Sequence, residues 1–320
     1  MLPLLARGGP NERVPMWPCK CNVCGMTRSL TATLVLAIPV LFLASCGLIS
    51  CGTTGKSLHP VVSGGKYGYI DHAGKIVIQP QFDNALEFSN DMAPVLVAGK
   101  WGYIDPKGKL TIAPQFDLAD PFSAEGLAVV GMAGKLGFVK KNGQLAVNPI
   151  YEGAGEFGDS LAPVAVNGRW GYIDEKGSVT INPQFDEAAS FSEGLAAVRI
   201  GNLHGYIGKD GKLAINPQYQ LAGDFHEGRA VVKTGNKYGY IGKDGKLIIA
   251  PQFDGAGDFG EGLAVVAIGQ RFGYIDKDGK FGINPQFERA GAFHDGVAQV
   301  WVNGRQSYVN KDGKFVYSAS

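Results

Sequence analysis

An acidic residue stands directly in front of a glycine again and again along the chain, at Glu125, Glu193, Glu227, Glu261 and Asp295. Two carboxylates held about 5–10 Å apart in a cleft could act as a general acid and a general base. Catalysis, however, needs one asymmetric constellation, and equivalent carboxylates repeated along a chain point instead to accepting hydrogen bonds from the following turn. Gly153-x-Gly155-x-x-Gly158 and Gly255-x-Gly257-x-x-Gly260 match the spacing of a dinucleotide fingerprint. That chemistry needs a strand before the glycines and a helix N-terminus after them. Here Pro149 or Pro251 comes first and a strand-like stretch follows, so both are one repeated loop. Asp276-x-Asp278-Gly279 resembles the start of a calcium loop but lacks the later ligands, and reads as a hairpin turn. The five histidines (His59, His72, His204, His226 and His294) form no H-E-x-x-H pair, and no G-x-S-x-G elbow exists. Neither a catalytic residue, a metal site nor a cofactor is expected.

The elements that must position any site come from a repeat. Gly68-Tyr69-Ile70 recurs as Gly102-Tyr103-Ile104, Gly137-Phe138-Val139, Gly171-Tyr172-Ile173, Gly205-Tyr206-Ile207, Gly239-Tyr240-Ile241 and Gly273-Tyr274-Ile275, and fades to Ser307-Tyr308-Val309. The step is 34 residues, once 35. In the unit 263–287, Leu263–Ile268 reads as a strand, Phe272–Asp276 as a second, and Phe281–Asn284 as a third stopped by Pro285. Asp278-Gly279 makes the hairpin, because glycine takes a positive φ without steric cost. A loop of the form P-Q-F-D-x-A-x-x-F-x-E-G follows. The expected fold is all-β: a tandem array over residues 58–320 of eight ~34-residue three-stranded antiparallel meanders. Degenerate first and last units favour an open β-superhelix, with a ring-shaped β-propeller as the alternative.

In the middle strand Trp101 and Tyr103 share one face and Gly102 and Ile104 the other. The aromatic and the β-branched residue recur in every copy, so both faces must be covered by neighbouring units. Burying one Tyr and one Ile contributes roughly 3–6 kcal/mol before entropy, so a stack can stand where one unit cannot. The position before the glycine reads Tyr67, Trp101, Leu136, Trp170, His204, Tyr238, Phe272 and Gln306. Its variability makes Tyr67, Trp101, Trp170, His204, Tyr238 and Phe272 the candidate ligand-binding residues, a ladder of rings able to stack on sugars or grip a peptide. The competing reading is rim packing between units.

Gly99-Lys100-Trp101-Gly102-Tyr103-Ile104-Asp105 and Gly168-Arg169-Trp170-Gly171-Tyr172-Ile173-Asp174, each followed by a turn and a P-Q-F-D loop, resemble the WG β-repeat of bacterial envelope and secreted proteins. The resemblance spans about residues 64–317 and implies an interaction role with no catalytic residues to transfer. Leu136, His204 and Gln306 depart from the aromatic position.

Charge and leader complete the picture. With 30 basic and 29 acidic residues the formal net charge is +1, which gives no polybasic face for nucleic acid. All five cysteines precede residue 52, so the repeats fold without disulfides. Leu34–Ser45 is a 12-residue apolar run, short for a membrane span and suited to a signal-peptide core behind Arg28. Leu43-Ala44-Ser45-Cys46 resembles a bacterial lipobox, which makes Cys46 the expected lipidation site. The expected layout is a signal peptide over 26–45, a linker over 46–57, and residues 1–25 as an extension ahead of a true start at Met26. Cys19-x-Cys21-x-x-Cys24 lies in that extension and lacks a fourth zinc ligand. Gly47 after Cys46 favours the outer membrane over the inner, with plain secretion as the alternative. The expected function is a non-enzymatic envelope lipoprotein that binds an envelope protein, or alternatively a cell-wall glycan, with no nucleic acid or nucleotide partner.

Overall fold

The computed structural model describes residues 58–71 and 74–318; the signal-peptide run, Cys46, the cysteine triplet and the linker lie outside the described residues. The described residues form an eight-bladed β-propeller of antiparallel sheets, with no helix among them. The expected all-β repeat is therefore present, and the open superhelix gives way to the propeller. The three-stranded unit is also corrected. Sheet 1 has three strands (His59–Ser63, Lys66–Ile70 and Ile76–Phe82), and each of sheets 2 to 8 has four. Sheet 7 is typical: Gly255–Gly260, Leu263–Ile268, Arg271–Asp276 and Phe281–Phe287, paired in that order. The extra strand is the first one, drawn from the P-Q-F-D loop. In sheets 2 to 5 it is only two residues long, as at Asn84–Ala85 or Glu187–Ala188. The first strands of sheets 6, 7 and 8 come together in succession while the outer strands are not in comparable contact, so the first strands are innermost.

The outer strand does not stop at proline; it runs through it, as in Leu110–Phe116. An outermost strand has no further partner for the missing N–H, so proline is tolerated there. Register explains the neighbouring glycine. Trp101 faces Phe116 and Tyr103 faces Ile112, so two residues of one strand oppose four of the next and the outer strand bulges. A Cβ on Gly102 would lie 2.5 Å from the Ile112 carbonyl oxygen and 2.8 Å from the Pro114 nitrogen. The glycine thus makes room for the backbone of its own sheet rather than for a neighbouring unit. In sheet 8, where the proline is absent, Ser307 takes the glycine's place and pairs directly with Ser318.

Both faces of the third strand are buried between sheets, as the repeat required. Tyr103 packs with Phe122 and Val130 of sheet 3, while Ile104 packs with Tyr69 and Ile78 of sheet 1. Among the described residues this produces seven apolar clusters, each between consecutive sheets. The aromatic of the G-Y-I strand (the second strand of sheet 1 and the third of sheets 2 to 7) meets a phenylalanine of the next sheet, with ring centroids 4.7–4.9 Å apart. Each such pair contributes about 0.5–1.5 kcal/mol beyond its buried area. Where the aromatic is tyrosine, its hydroxyl donates to a carbonyl on the next sheet, as Tyr172 does to Ala189 at 2.7 Å. Burial raises the pKa of these phenols well above the ordinary value.

Candidate functional site

The candidate ladder lies along one rim, beside the turn between the second and third strands. Tyr67, Trp101, Trp170, His204, Tyr238 and Phe272 are all half-buried. Each stands opposite the aromatic of its own P-Q-F segment: Tyr67 across from Phe82, Trp101 from Phe116, Trp170 from Phe185, His204 from Tyr219, Tyr238 from Phe253 and Phe272 from Phe287. Their faces are partly occupied. The Trp170 ring lies where a Cβ on Gly153 would sit, 2.8 Å from its Cη2, and Lys233 Nζ stands 5.2 Å from the Tyr238 ring centroid. His204 Nε2 is 3.7 Å from Glu187 Oε2, and burial lowers the imidazole pKa despite that carboxylate.

Beside four of the rings a basic residue pairs with the acid that follows P-Q-F. Lys66 meets Asp83 and Lys100 meets Asp117, each at 2.5 Å, Lys237 meets Asp254 at 2.6 Å, and Arg169 meets Asp186. The same acids accept from turn N–H groups, Ala98 N to Asp83 and Ala133 N to Asp117. The lysine contacts, then these N–H groups, hold both carboxyls below the usual range. In sheet 5 the pair is replaced as a whole, by Leu203 and Gln220.

On the opposite rim three of the acids in front of glycine bind forward to the next sheet. Glu193 Oε2 accepts from Gly228 N, Glu227 Oε2 from Gly262 N and Glu261 Oε2 from Gly296 N, each at 3.0 Å. Lys243, Lys277 and Lys311 complete these latches at 3.0–3.1 Å. Burial alone would raise the Glu193 and Glu261 carboxyls, but lysine and N–H contacts bring both below the ordinary value. The hydrogen bond from a turn is made, but by the equivalent turn of the next sheet and not by the local turn expected from the sequence. Glu261, His294 and Asp295 bring ligand-type atoms within 4.8 Å of one another, but the Lys311 ammonium already neutralises Glu261.

One cluster was not legible in the sequence. The first strands Leu221–His226 and Gly255–Gly260 place Asp224 and Asp258 at the same register, each one residue ahead of a buried phenylalanine. His226 Nε2 lies 3.8 Å from Asp258 Oδ2, both side chains being 11% exposed. Burial, then the charge of Asp258, pushes the Asp224 carboxyl up to about 6, while His226 pulls the other way. The only sequence sign was an acid before F in both G-A-G-D-F and A-G-D-F stretches, which repeat regularity hid.

Comparison with known proteins adds a family and a fold. A family model described as WG containing repeat matches residues 67–101, 101–135, 137–170, 170–203, 205–238, 238–271 and 272–305. No curated protein matches the chain. Among solved structures, a eukaryotic initiation factor is similar at 12% identity with a TM-score of 0.60, over 83% of this chain and 85% of that one. Dihydro-heme d1 dehydrogenase NirN in complex with DHE is similar at 13% identity with a TM-score of 0.51, over 82% of this chain and 72% of that one. At such identities the likeness concerns the fold alone.

Proposed function

The chain belongs to the WG-containing repeat family, and from that premise we propose that it is a non-enzymatic protein-interaction module of a bacterial cell envelope, tethered by a lipid on Cys46. The observation that supports this reading most directly is a set of exposed aliphatic side chains, one in each of sheets 1 to 6, at one register of the outer strands. Ile76, Leu110, Leu145, Val179, Leu213 and Leu247 are 39–54% exposed at the first residue of their strands. Singly each is unremarkable, but a fixed apolar side chain on every outer strand offers a partner a regular row of contacts. Three of the acids that tempted a catalytic reading, Glu193, Glu227 and Glu261, are engaged in latches, which supports a structural role for them. The lipid anchor rests on the Leu43–Cys46 motif, and Gly47 favours the outer membrane, with secretion as the alternative.

The test is capture of envelope proteins by the purified full chain, read by cross-linking and mass spectrometry, beside sedimentation with purified cell wall. Leu110→Lys, Leu213→Lys and Leu247→Lys combined should abolish capture with an unchanged melting curve. Retention on cell wall, lost with Trp101→Ala and Trp170→Ala in a folded protein, would replace this reading with a glycan-binding one. Palmitate labelling that survives Cys46→Ala would overturn the anchor.

A further inference from the structure

Only sheets 6 and 7 carry an aspartate directly ahead of the phenylalanine that meets the preceding sheet's aromatic: Asp224 before Phe225 and Asp258 before Phe259. Sheet 6 adds a histidine on the far side of that phenylalanine, His226. The backbone beside both acids is pinned. Tyr206 Oη donates to Gly223 O at 2.8 Å and Tyr240 Oη to Gly257 O at 2.7 Å, each carbonyl belonging to the residue just ahead of an aspartate.

The repeat fixes where these side chains reach. Behind the phenylalanine, Ser89 Oγ donates forward to Phe122 O of the next sheet and Ser192 Oγ to Phe225 O, both at 2.6 Å. His226 holds the place of Ser192 one sheet on, and its Nε2 reaches forward to within 3.8 Å of Asp258 Oδ2. Ahead of the phenylalanine, Ser190 Oγ donates back to Glu156 O at 2.7 Å. Asp258 leans back in the same way, for a Cβ on Gly223 would lie 3.3 Å from its Oδ1. Asp258 thus stands between His226 Nε2 and the residue next to Asp224, and Asp224 lies within electrostatic reach of both. His226 Nε2 is shut off from solvent and makes no hydrogen bond, and the His226 and Asp258 side chains are each 11% exposed. A separation of 3.8 Å is too long for a hydrogen bond. Two donors bound to one ion at about 2.0–2.3 Å stand about 3.0–3.8 Å apart. Arg229 pairs with His226 in the ladder, but its Nε donates to Lys277 O at 2.9 Å and its guanidinium lies over the Phe259 ring.

We propose that His226 Nε2 and Asp258 Oδ2 bind a divalent first-row transition-metal ion between the innermost strands of sheets 6 and 7, with Asp224 supplying a second negative charge beside it. An imidazole with carboxylates selects ions of the zinc and manganese type, whereas calcium and magnesium take oxygen donors. Three donors are not gathered in advance. The two that face each other are His226 and Asp258, and Asp224 acts on the ion through its charge. The rival place is the Glu261, His294 and Asp295 group, whose ligand-type atoms lie within 4.8 Å of one another. There His294 and Asp295 are 83% and 94% exposed and Lys311 stands 3.0 Å from Glu261, so water and an ammonium already serve those groups.

The test is titration calorimetry and thermal unfolding of the full-length, untagged chain with zinc chloride, and separately with calcium chloride. The cysteines are alkylated first; all five precede residue 52, so the repeats are untouched. Zinc should bind with one ion per chain and raise the melting temperature saturably, by about 5 °C at a hundredfold excess over its Kd. His226→Gln and Asp258→Asn should each abolish binding, Asp224→Asn should weaken it about 10–100-fold, and His294→Gln should leave it unchanged. Absence of zinc binding in the wild type would overturn the proposal. So would binding that survives His226→Gln, that falls with His294→Gln, that is indifferent to Asp224→Asn, or that calcium matches. The His226 and Asp224 variants decide the matter even where Asp258→Asn fails to fold.

Discussion

A glycine and a proline twelve residues apart act as one device here. Gly171 sits under the outer-strand bulge, where a Cβ would lie 2.4 Å from the Ile181 oxygen and 2.6 Å from the Pro183 nitrogen. Gly171→Ala should therefore cost roughly 1–3 kcal/mol by overpacking against backbone that cannot step aside. Ser307→Ala, at the same place in the sheet that lacks the proline, should cost less than about 1 kcal/mol. Urea midpoints of the two variants check the contrast. The glycine was legible in the sequence, but its reason was not, since the bulge exists only once two strands pair. Asp224 supplies the pH prediction. Its carboxyl loses its proton near 3.8 in the unfolded chain and at about 6 in the fold, next to Asp258 and His226. Between those values the folded state holds more protons, so stability falls as pH rises through the window and stays reduced above it. Asp224→Asn should remove that slope and stabilise the protein at pH 8 by at most about 3 kcal/mol, with little change at pH 4. An unchanged slope in denaturation curves from pH 4 to 8 would contradict this.

Between elements, stability resides in the joints. Tyr172 sends its hydroxyl across to Ala189, and Tyr172→Phe removes that donor while keeping the ring against Phe191, so the expected loss is about 1–2 kcal/mol. The third sheet lives with this loss already, since Phe138 meets Phe157 without a hydroxyl. Glu227→Gln keeps an acceptor for Gly262 but drops the charge that meets Lys277, and should cost only about 0.5–1 kcal/mol because both groups reach solvent. Thermal unfolding of the two variants should rank Tyr172→Phe as the more damaging. The sequence announced the aromatic and the β-branched residue of each third strand because alternation forces them onto opposite faces. It did not announce the first strand. Asn84–Ala85 and Glu187–Ala188 are two residues long, too short for a periodic signal, and they are strands only because a partner strand lies beside them.

At the scale of the whole molecule the two end sheets differ from the six between them. Ile70 and Tyr308, the outward positions of sheets 1 and 8, are half-buried, while Ile104, Ile173, Tyr103 and Tyr274 are fully buried. Local opening should begin there. Amide hydrogen exchange is expected to be faster over 59–82 and 297–318 than over 93–287, and uniform protection would contradict it. Since each sheet packs on its neighbours, these ends limit the lifetime of the array more than any inner joint does.

The order of the residues alone determined the period, the all-β class, the two-sided burial of the third strand and the absence of disulfides in the repeats, because each follows from local alternation or from composition. Whether the units climb as a superhelix or turn about an axis depends on the angle at which one sheet packs on the next. That angle is set by contacts between residues of different repeats, such as Tyr172 against Phe191 or the Gly211 backbone against the Ile181 side chain. The same holds for the approach of Asp224 to Asp258 and for the latches of Glu193 and Glu227. Those sites exist only where separate repeats touch, so only the tertiary structure could decide them.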